Sequence, residues 1–243
     1  MKALYIAWQD PENRKWHTVG RLSHEHNRYQ FTYTKGSQQS PRFEYLGRMR
    51  DKEKVYHSDT LFPLFANRLL DASRPEYPDY LNWMGIDNGG SKMELLARSG
   101  GRRGTDKLCV YPEVKPNDQG EIVLYFFSHG LRYLNEVEQE TIRSLKRGDY
   151  LQLTQDDTNQ HDRYALLLET KEPVRVGYCP RYLSQDLFKV QRQVPIRLAV
   201  EKVNSQAPLQ FRLLCKAVFI PPKGFSLYTT DEHQPLAREV EAA

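Results

Sequence analysis

The side chains with the most chemistry lie in the second half of the chain. They fall in an ordered series: Arg132-Tyr133, then Asn159, His161 and Asp162, then Tyr178 and Arg181. A guanidinium holds a phosphate through paired donors, and a phenol ring stacks on a base. An Asn amide bonds to a base edge, and a carboxylate accepts from a terminal hydroxyl while repelling a terminal phosphate. Together these types suit sequence-tolerant contact with the end of a nucleic-acid strand. His161 would add a pH-dependent element. The same residues also have a structural reading. Asn159 and Asp162 can close a tight loop through their own backbone hydrogen bonds, and Tyr133 and Tyr178 can fill a core.

Other fragments point toward catalysis only superficially. Ser99-Gly100-Gly101-Arg102-Arg103-Gly104 has the glycines of a phosphate cradle but not its Gly-Lys-Ser/Thr. His24 and His26, and the Asp156-Asp157 to Asp162 cluster, lack a second set of ligands at metal-binding spacing. No nucleophile has a base that the sequence orients beside it. The chain is therefore expected to be non-catalytic, with no cofactor and no metal.

Charge and composition narrow the partners. The net charge of +4 is spread thinly: residues 1–120 carry +4, residues 121–225 carry +3 and residues 226–243 carry −3. No stretch is a polybasic arm, so strong non-specific duplex binding is not implied. The cysteines, Cys109, Cys179 and Cys215, are far apart and each sits in an apolar run, as buried thiols do. The opening residues enter a strand-like run without a signal-peptide core, and no segment reaches the length of a membrane span. A cytoplasmic protein with no membrane partner is expected.

The elements that must position these residues read as an α+β protein in two modules. Ala3–Trp8, His17–Leu22 and Arg28–Tyr33 are strand-like, and Tyr29, Phe31 and Tyr33 share one face. Short helices are expected over 61–70, 80–86 and 92–98, the last capped by Ser91, before a strand at 108–111. Residues 114–120 read as a linker. Beyond it, strands are expected at 121–127, 150–153, 164–168, 174–178, 196–203 and 210–220, with helices at 136–145 and 182–191. Six strands and two helices in that length suggest an OB-like barrel. Residues 223–243, acidic and aperiodic, are expected to be a mobile tail.

The second half resembles the HIRAN domain. The resemblance is carried by His129-Gly130-Leu131-Arg132-Tyr133, Gly148-Asp149-Tyr150-Leu151, Asn159-Gln160-His161-Asp162-Arg163-Tyr164-Ala165 and Val176-Gly177-Tyr178-Cys179-Pro180-Arg181. It spans about 120–220, within a domain read as 121–222, and implies an OB-like barrel that holds the free 3′ end of single-stranded DNA. Arg132 and Tyr133 would then supply phosphate and stacking contacts. Asn159 and Asp162 would hold the terminal base and 3′-hydroxyl, and Tyr178 and Arg181 would be later stacking or phosphate-facing positions. His161 stands where Tyr or Phe is common, and Leu134 where a second aromatic is often seen.

Residues 3–113, within a module read as 1–113, resemble the amino-terminal subdomain of HipA-type serine/threonine kinases. The agreement runs through Val19-Gly20-Arg21-Leu22, Leu61-Phe62-Pro63-Leu64-Phe65-Ala66-Asn67-Arg68 and Glu94-Leu95-Leu96-Ala97-Arg98-Ser99-Gly100-Gly101, with no kinase core after it. In some toxin–antitoxin operons this subdomain is a separate protein that restrains a HipA-type kinase encoded beside it. The resemblance implies an antitoxin-like role, with Phe62, Phe65 and Trp83 as candidate partner contacts. The alternatives are a protein-interaction scaffold whose barrel no longer binds DNA, and a metal-dependent nuclease centred on Asp156–Asp162.

Overall fold

A computed structural model describes residues 2–86, 89–160 and 162–237, which form two compact units. The first unit holds residues up to Leu81, Ile86–Glu113 and the chain from Tyr228 onward. Its strands are β1 (Ala3–Gln9), β2 (Trp16–Glu25), β3 (Arg28–Tyr33), β4 (Tyr56–Ser58) and, after three helices, β5 (Leu108–Pro112). The helices between β4 and β5 are α1 (Pro63–Ala66), α2 (Tyr77–Met84) and α3 (Lys92–Ser99). The strands make one antiparallel sheet in the order β4-β3-β2-β1-β5.

Alternation decides which face of that sheet is covered. Leu4 and Ile6 of β1, Leu22 of β2 and Phe31 and Tyr33 of β3 are fully buried, and Phe65 and Leu96 from the helices pack in the same cluster. Each such side chain contributes about 1.5–3 kcal/mol when removed from water. The buried Tyr33 hydroxyl is satisfied in both directions. It donates to the Met49 carbonyl at 2.6 Å and accepts from the Leu46 N–H at 2.6 Å. That pair pins the irregular segment around residues 43–49 over the sheet.

Three expectations change here. The helix expected over 61–70 is a single turn, because Arg68 and Leu69 donate to carbonyls three residues back and tighten the chain. The Arg68 side chain is then buried, bonded to the Gly101 carbonyl and to both carboxylate oxygens of Asp106. Second, β4 is a strand where none was expected; it holds the sheet edge by backbone pairing to Tyr29–Phe31. Third, the tail expected to be mobile is packed as far as the structure describes it. Tyr228, His233 and Ala237 are buried, Lys35 N–H donates to the Gln234 carbonyl, and Leu236 N–H donates to the Tyr33 carbonyl. Its described acidic residues have specific partners: Asp231 pairs with Lys35, and Glu232 accepts from the Thr18 N–H. Residues 238–243 lie outside the described residues.

The second unit holds Val114–Leu227 together with Asn82–Gly85. Its elements are β6 (Ile122–Phe127), α4 (Glu136–Ser144), β7 (Tyr150–Gln155), β8 (Leu166–Thr170), β9 (Arg175–Tyr178), α5 (Arg181–Gln191), β10 (Arg197–Val203) and β11 (Leu213–Phe219). All pair antiparallel in the order β6-β11-β10-β7-β8-β9. This six-stranded sheet curls into a half-barrel. An isolated bridge between His129 and Tyr178 brings its last strand to the segment following its first. One cross-strand row, Leu124, Ala217, Leu198 and Leu151, lies wholly in the core. In α5, Leu183, Leu187 and Val190 repeat at helical spacing and are buried.

Candidate nucleic-acid interface

Tyr178 ends β9, and its backbone exchanges two hydrogen bonds of 2.9 Å with His129. That bridge fixes the turn carrying Arg132 and Tyr133. The turn begins at Gly130, whose φ of 77° is left-handed, and a Cβ there would sit 3.1 Å from the Tyr178 ring. Tyr133 is 67% exposed, so it is not the core residue its type also allowed. The Arg132 guanidinium lies over the Tyr133 ring, 4.6 Å from its centre, and donates to its hydroxyl. A cation and an open aromatic face are thus presented together.

On the other side, the Tyr178 hydroxyl donates to an Asp156 carboxylate oxygen at 2.8 Å. Asp156 opens the loop to Ala165, and this loop is organised largely by its own side chains. Asp156 accepts from the N–H and hydroxyl of Thr158, Asn159 Oδ1 accepts from the Asp162 N–H at 3.0 Å, and one Asp162 oxygen accepts from the Tyr164 N–H at 3.0 Å. The other Asp162 oxygen accepts from the buried Ser184 hydroxyl at 3.2 Å and lies 3.7 Å from Nε of Arg181. Both Ser184 and Arg181 belong to the first turn of α5, so the helix and the loop share one carboxylate. His161 lies outside the described residues.

Hydrogen bonds from Thr158, with smaller help from Tyr178 and Asn159, hold the Asp156 carboxyl below its usual range. Tyr178 is raised, first by burial and then by the hydrogen bond it donates to the Asp156 carboxylate and by the negative charge there. A third group stands behind them. Arg175 makes a bidentate pair with Glu138 at 3.0 and 3.1 Å, and Glu138 also closes the capping box of α4 with Asn135. Burial pushes the Glu138 carboxyl up, but the bonds from Arg175 and the Asn135 N–H outweigh it and leave it lowered.

The structure therefore gathers Arg132, Tyr133, Asn159, Asp162, Tyr178 and Arg181 around one end of the half-barrel, with Tyr178 between the two halves of the group. Residue types alone place Asp156 only in a possible metal cluster, not in the strand-end group, and do not single out Arg175 or Ser184. Their partners are 22, 37 and 22 residues away in sequence, so no local spacing announces them. The candidate partner contacts fare differently. Phe65 is fully buried in the first unit's core, and Phe62 packs partly against it. Phe65 is therefore corrected to a core residue, because its ring fills the space over Phe31. Trp83, in the second unit, is half-buried and stacks on Phe211. Among the described residues no group of three His, Cys, Asp or Glu side chains could hold a metal ion. No described helix is long and apolar enough to cross a membrane.

Comparison with known proteins bears on the second unit. The family model described as the HIRAN domain matches residues 122–219. A crystal structure of a protein from Lactobacillus plantarum is 22% identical over 40% of this chain and 95% of its own, with a TM-score of 0.34. The crystal structure of the HIRAN domain of human HLTF is 18% identical over 42% of this chain and 81% of its own, with a TM-score of 0.33. No curated protein matches the chain. The matched family model spans β6 through β11 and with them every described residue of the strand-end group: residues 122–219 match the HIRAN domain model.

Proposed function

We propose that this protein is a non-catalytic regulatory binder whose HIRAN domain holds the free 3′ end of single-stranded DNA. The observation that carries the reading is the position of Tyr178. It is bonded on one side to the turn bearing the exposed Arg132–Tyr133 pair and on the other to the loop bearing Asn159 and Asp162. A terminal base stacks on Tyr133, Arg132 takes a phosphate, and the Asp162 carboxylate accepts from the 3′-hydroxyl. A 3′-phosphate meets that carboxylate as a like charge.

Strands ending in a 3′-hydroxyl should bind about tenfold or more tightly than those ending in a 3′-phosphate, measured by fluorescence anisotropy. Asp162→Asn keeps the oxygen that accepts from the Tyr164 N–H, replaces the oxygen facing Ser184 by an amide that can donate to that hydroxyl, and removes the charge. It should weaken hydroxyl-ended binding by about tenfold, as loss of a charged hydrogen bond does, and narrow the discrimination. Equal affinity of the parent protein for both ends overturns the reading.

The first unit is proposed to engage a HipA-type kinase in the manner of an antitoxin, supported by its resemblance over residues 3–113. Co-expression with a HipA-type kinase encoded nearby should give a complex that survives gel filtration. Two separate peaks overturn this half of the proposal.

A further inference from the structure

The outward face of the HIRAN sheet carries aromatic and cationic groups that the strand-end group does not use. Directly opposed residues in a sheet share a face, so register alone places them. Tyr125 of β6 opposes Lys216 of β11, Lys216 opposes Ala199 of β10, and Ala199 opposes Tyr150 of β7. Tyr150 is 69% exposed, an unusual place for a large ring in a central strand. The Lys216 ammonium lies 5.5 Å from the centre of the Tyr125 ring. The small Ala199 leaves open space beside Tyr150. The two tyrosines are three strand spacings apart, about 14 Å.

This row is continuous with the strand-end group. Along β7 the outward positions are Tyr150, Gln152 and Thr154 by the period of two, and their exposure agrees. Thr154 opposes Leu167, and Leu167 opposes Tyr178. One sheet face therefore runs from Tyr178 to Tyr150 and on to Tyr125. Its cations also match a phosphate backbone. Lys216 makes no ion pair among the described residues, and Arg197 is 63% exposed with Glu121 no nearer than 3.9 Å.

We propose that the outward face bearing Tyr150, Lys216 and Tyr125 is a second nucleic-acid surface. It guides the part of a single strand that leads up to the end held at Tyr178. The proposal rests on the strand-end reading. Bases stack on the exposed Tyr150 and on the half-buried Tyr125, and Lys216 meets a phosphate between them, which gives length-dependent and sequence-tolerant affinity. On the same face Glu201 is paired with Arg147 at 2.6 Å, whereas Glu121 lies 3.9 Å from Arg197 and Glu169 stands opposite Gln152. The affinity of this face therefore rests on stacking and on Lys216 rather than on a uniformly basic surface.

The test compares a trinucleotide with a strand of about twelve nucleotides, both with free 3′-hydroxyls, on the full chain. The parent protein should bind the longer strand more tightly. Tyr150→Ala should weaken the longer strand by about tenfold, the loss of one stacked base, and leave the trinucleotide unchanged. Tyr150→Phe, which keeps the ring, should restore the difference. Lys216→Gln should make long-strand binding less steeply salt-dependent by about one phosphate contact. If both lengths bind and Tyr150→Ala alters neither, or alters both alike, the surface is overturned and the strand-end reading stands. If neither binds, both are overturned.

Discussion

Gly177→Ala should destabilise the second unit by about 3 kcal/mol or more and abolish strand-end binding. Gly177 sits next to Tyr178 at φ 121°, in the region that L side chains rarely adopt. A Cβ there would lie 2.0 Å from the Ser128 hydroxyl, 2.7 Å from the His129 carbonyl oxygen and 2.9 Å from a Leu131 methyl. The first contact cannot be relieved by rotating Ser128 without cost, because its hydroxyl donates to the Val176 carbonyl at 2.8 Å. The second is backbone. Backbone strain of about 1–3 kcal/mol and overpacking of about 1–3 kcal/mol act together. Relief requires separating the chain at 128–131 from β9, and that contact is the His129–Tyr178 bridge which positions Arg132 and Tyr133. Urea unfolding followed by circular dichroism measures the first effect and anisotropy the second. A midpoint within about 0.5 kcal/mol of the parent would show that this glycine is not demanded by the close approach.

How much of this was legible beforehand depends on the range of the interaction. Strand β1 follows from its run of apolar strand formers, β2 as the partner that returns after the turn, and β3 from alternation, since Phe31 and Tyr33 share a buried face. Ser91 caps α3 as its type predicts, accepting from the Glu94 N–H at 3.2 Å. All six strands of the second unit lie in apolar runs that propensity identifies. Strand β4 was not legible, because Tyr56–Ser58 has no alternating apolar face and joins the sheet through backbone groups every sequence possesses. The strand-end group was half legible: Arg132, Tyr133, Asn159, Asp162, Tyr178 and Arg181 stand out by type and order. The bond from Tyr178 to Asp156 and the Arg175–Glu138 pair depend on how the barrel closes. The carboxyl-terminal segment misleads for a related reason. Acidic, aperiodic composition suggests solvation, whereas Asp231 and Glu232 each meet one complementary group, just after β3 and on β2.

That segment gives the other large effect. A chain ending at Leu227 should lose about 4 kcal/mol or more from the first unit, read as faster hydrogen exchange at the amides of β1 and β2. Tyr228 and His233 fill a ring cluster with Tyr5 and Tyr111, with centroid separations of 4.8 to 6.4 Å. The His233 ring bridges the two ends of the unit. Nε2 lies 3.0 Å from the Tyr111 hydroxyl and Nδ1 lies 2.7 Å from the Thr230 hydroxyl. Burial lowers its pKa to about 4, against a smaller raising influence from Thr230. An unfolded chain takes up this proton near the ordinary value of about 6.5, while the folded chain resists it until about 4. The contribution of the neutral ring is therefore complete above about pH 6.5, declines as pH falls through that window, and is spent below about pH 4. The full swing is on the order of 3 kcal/mol. His233→Gln removes the titrating group, so the stability of the first unit should lose that part of its acid dependence. Identical acid profiles for the parent and His233→Gln would show that the ring takes no part in holding the segment down. Unchanged exchange at β1 and β2 in the shortened chain would show that the segment does not brace the sheet at all.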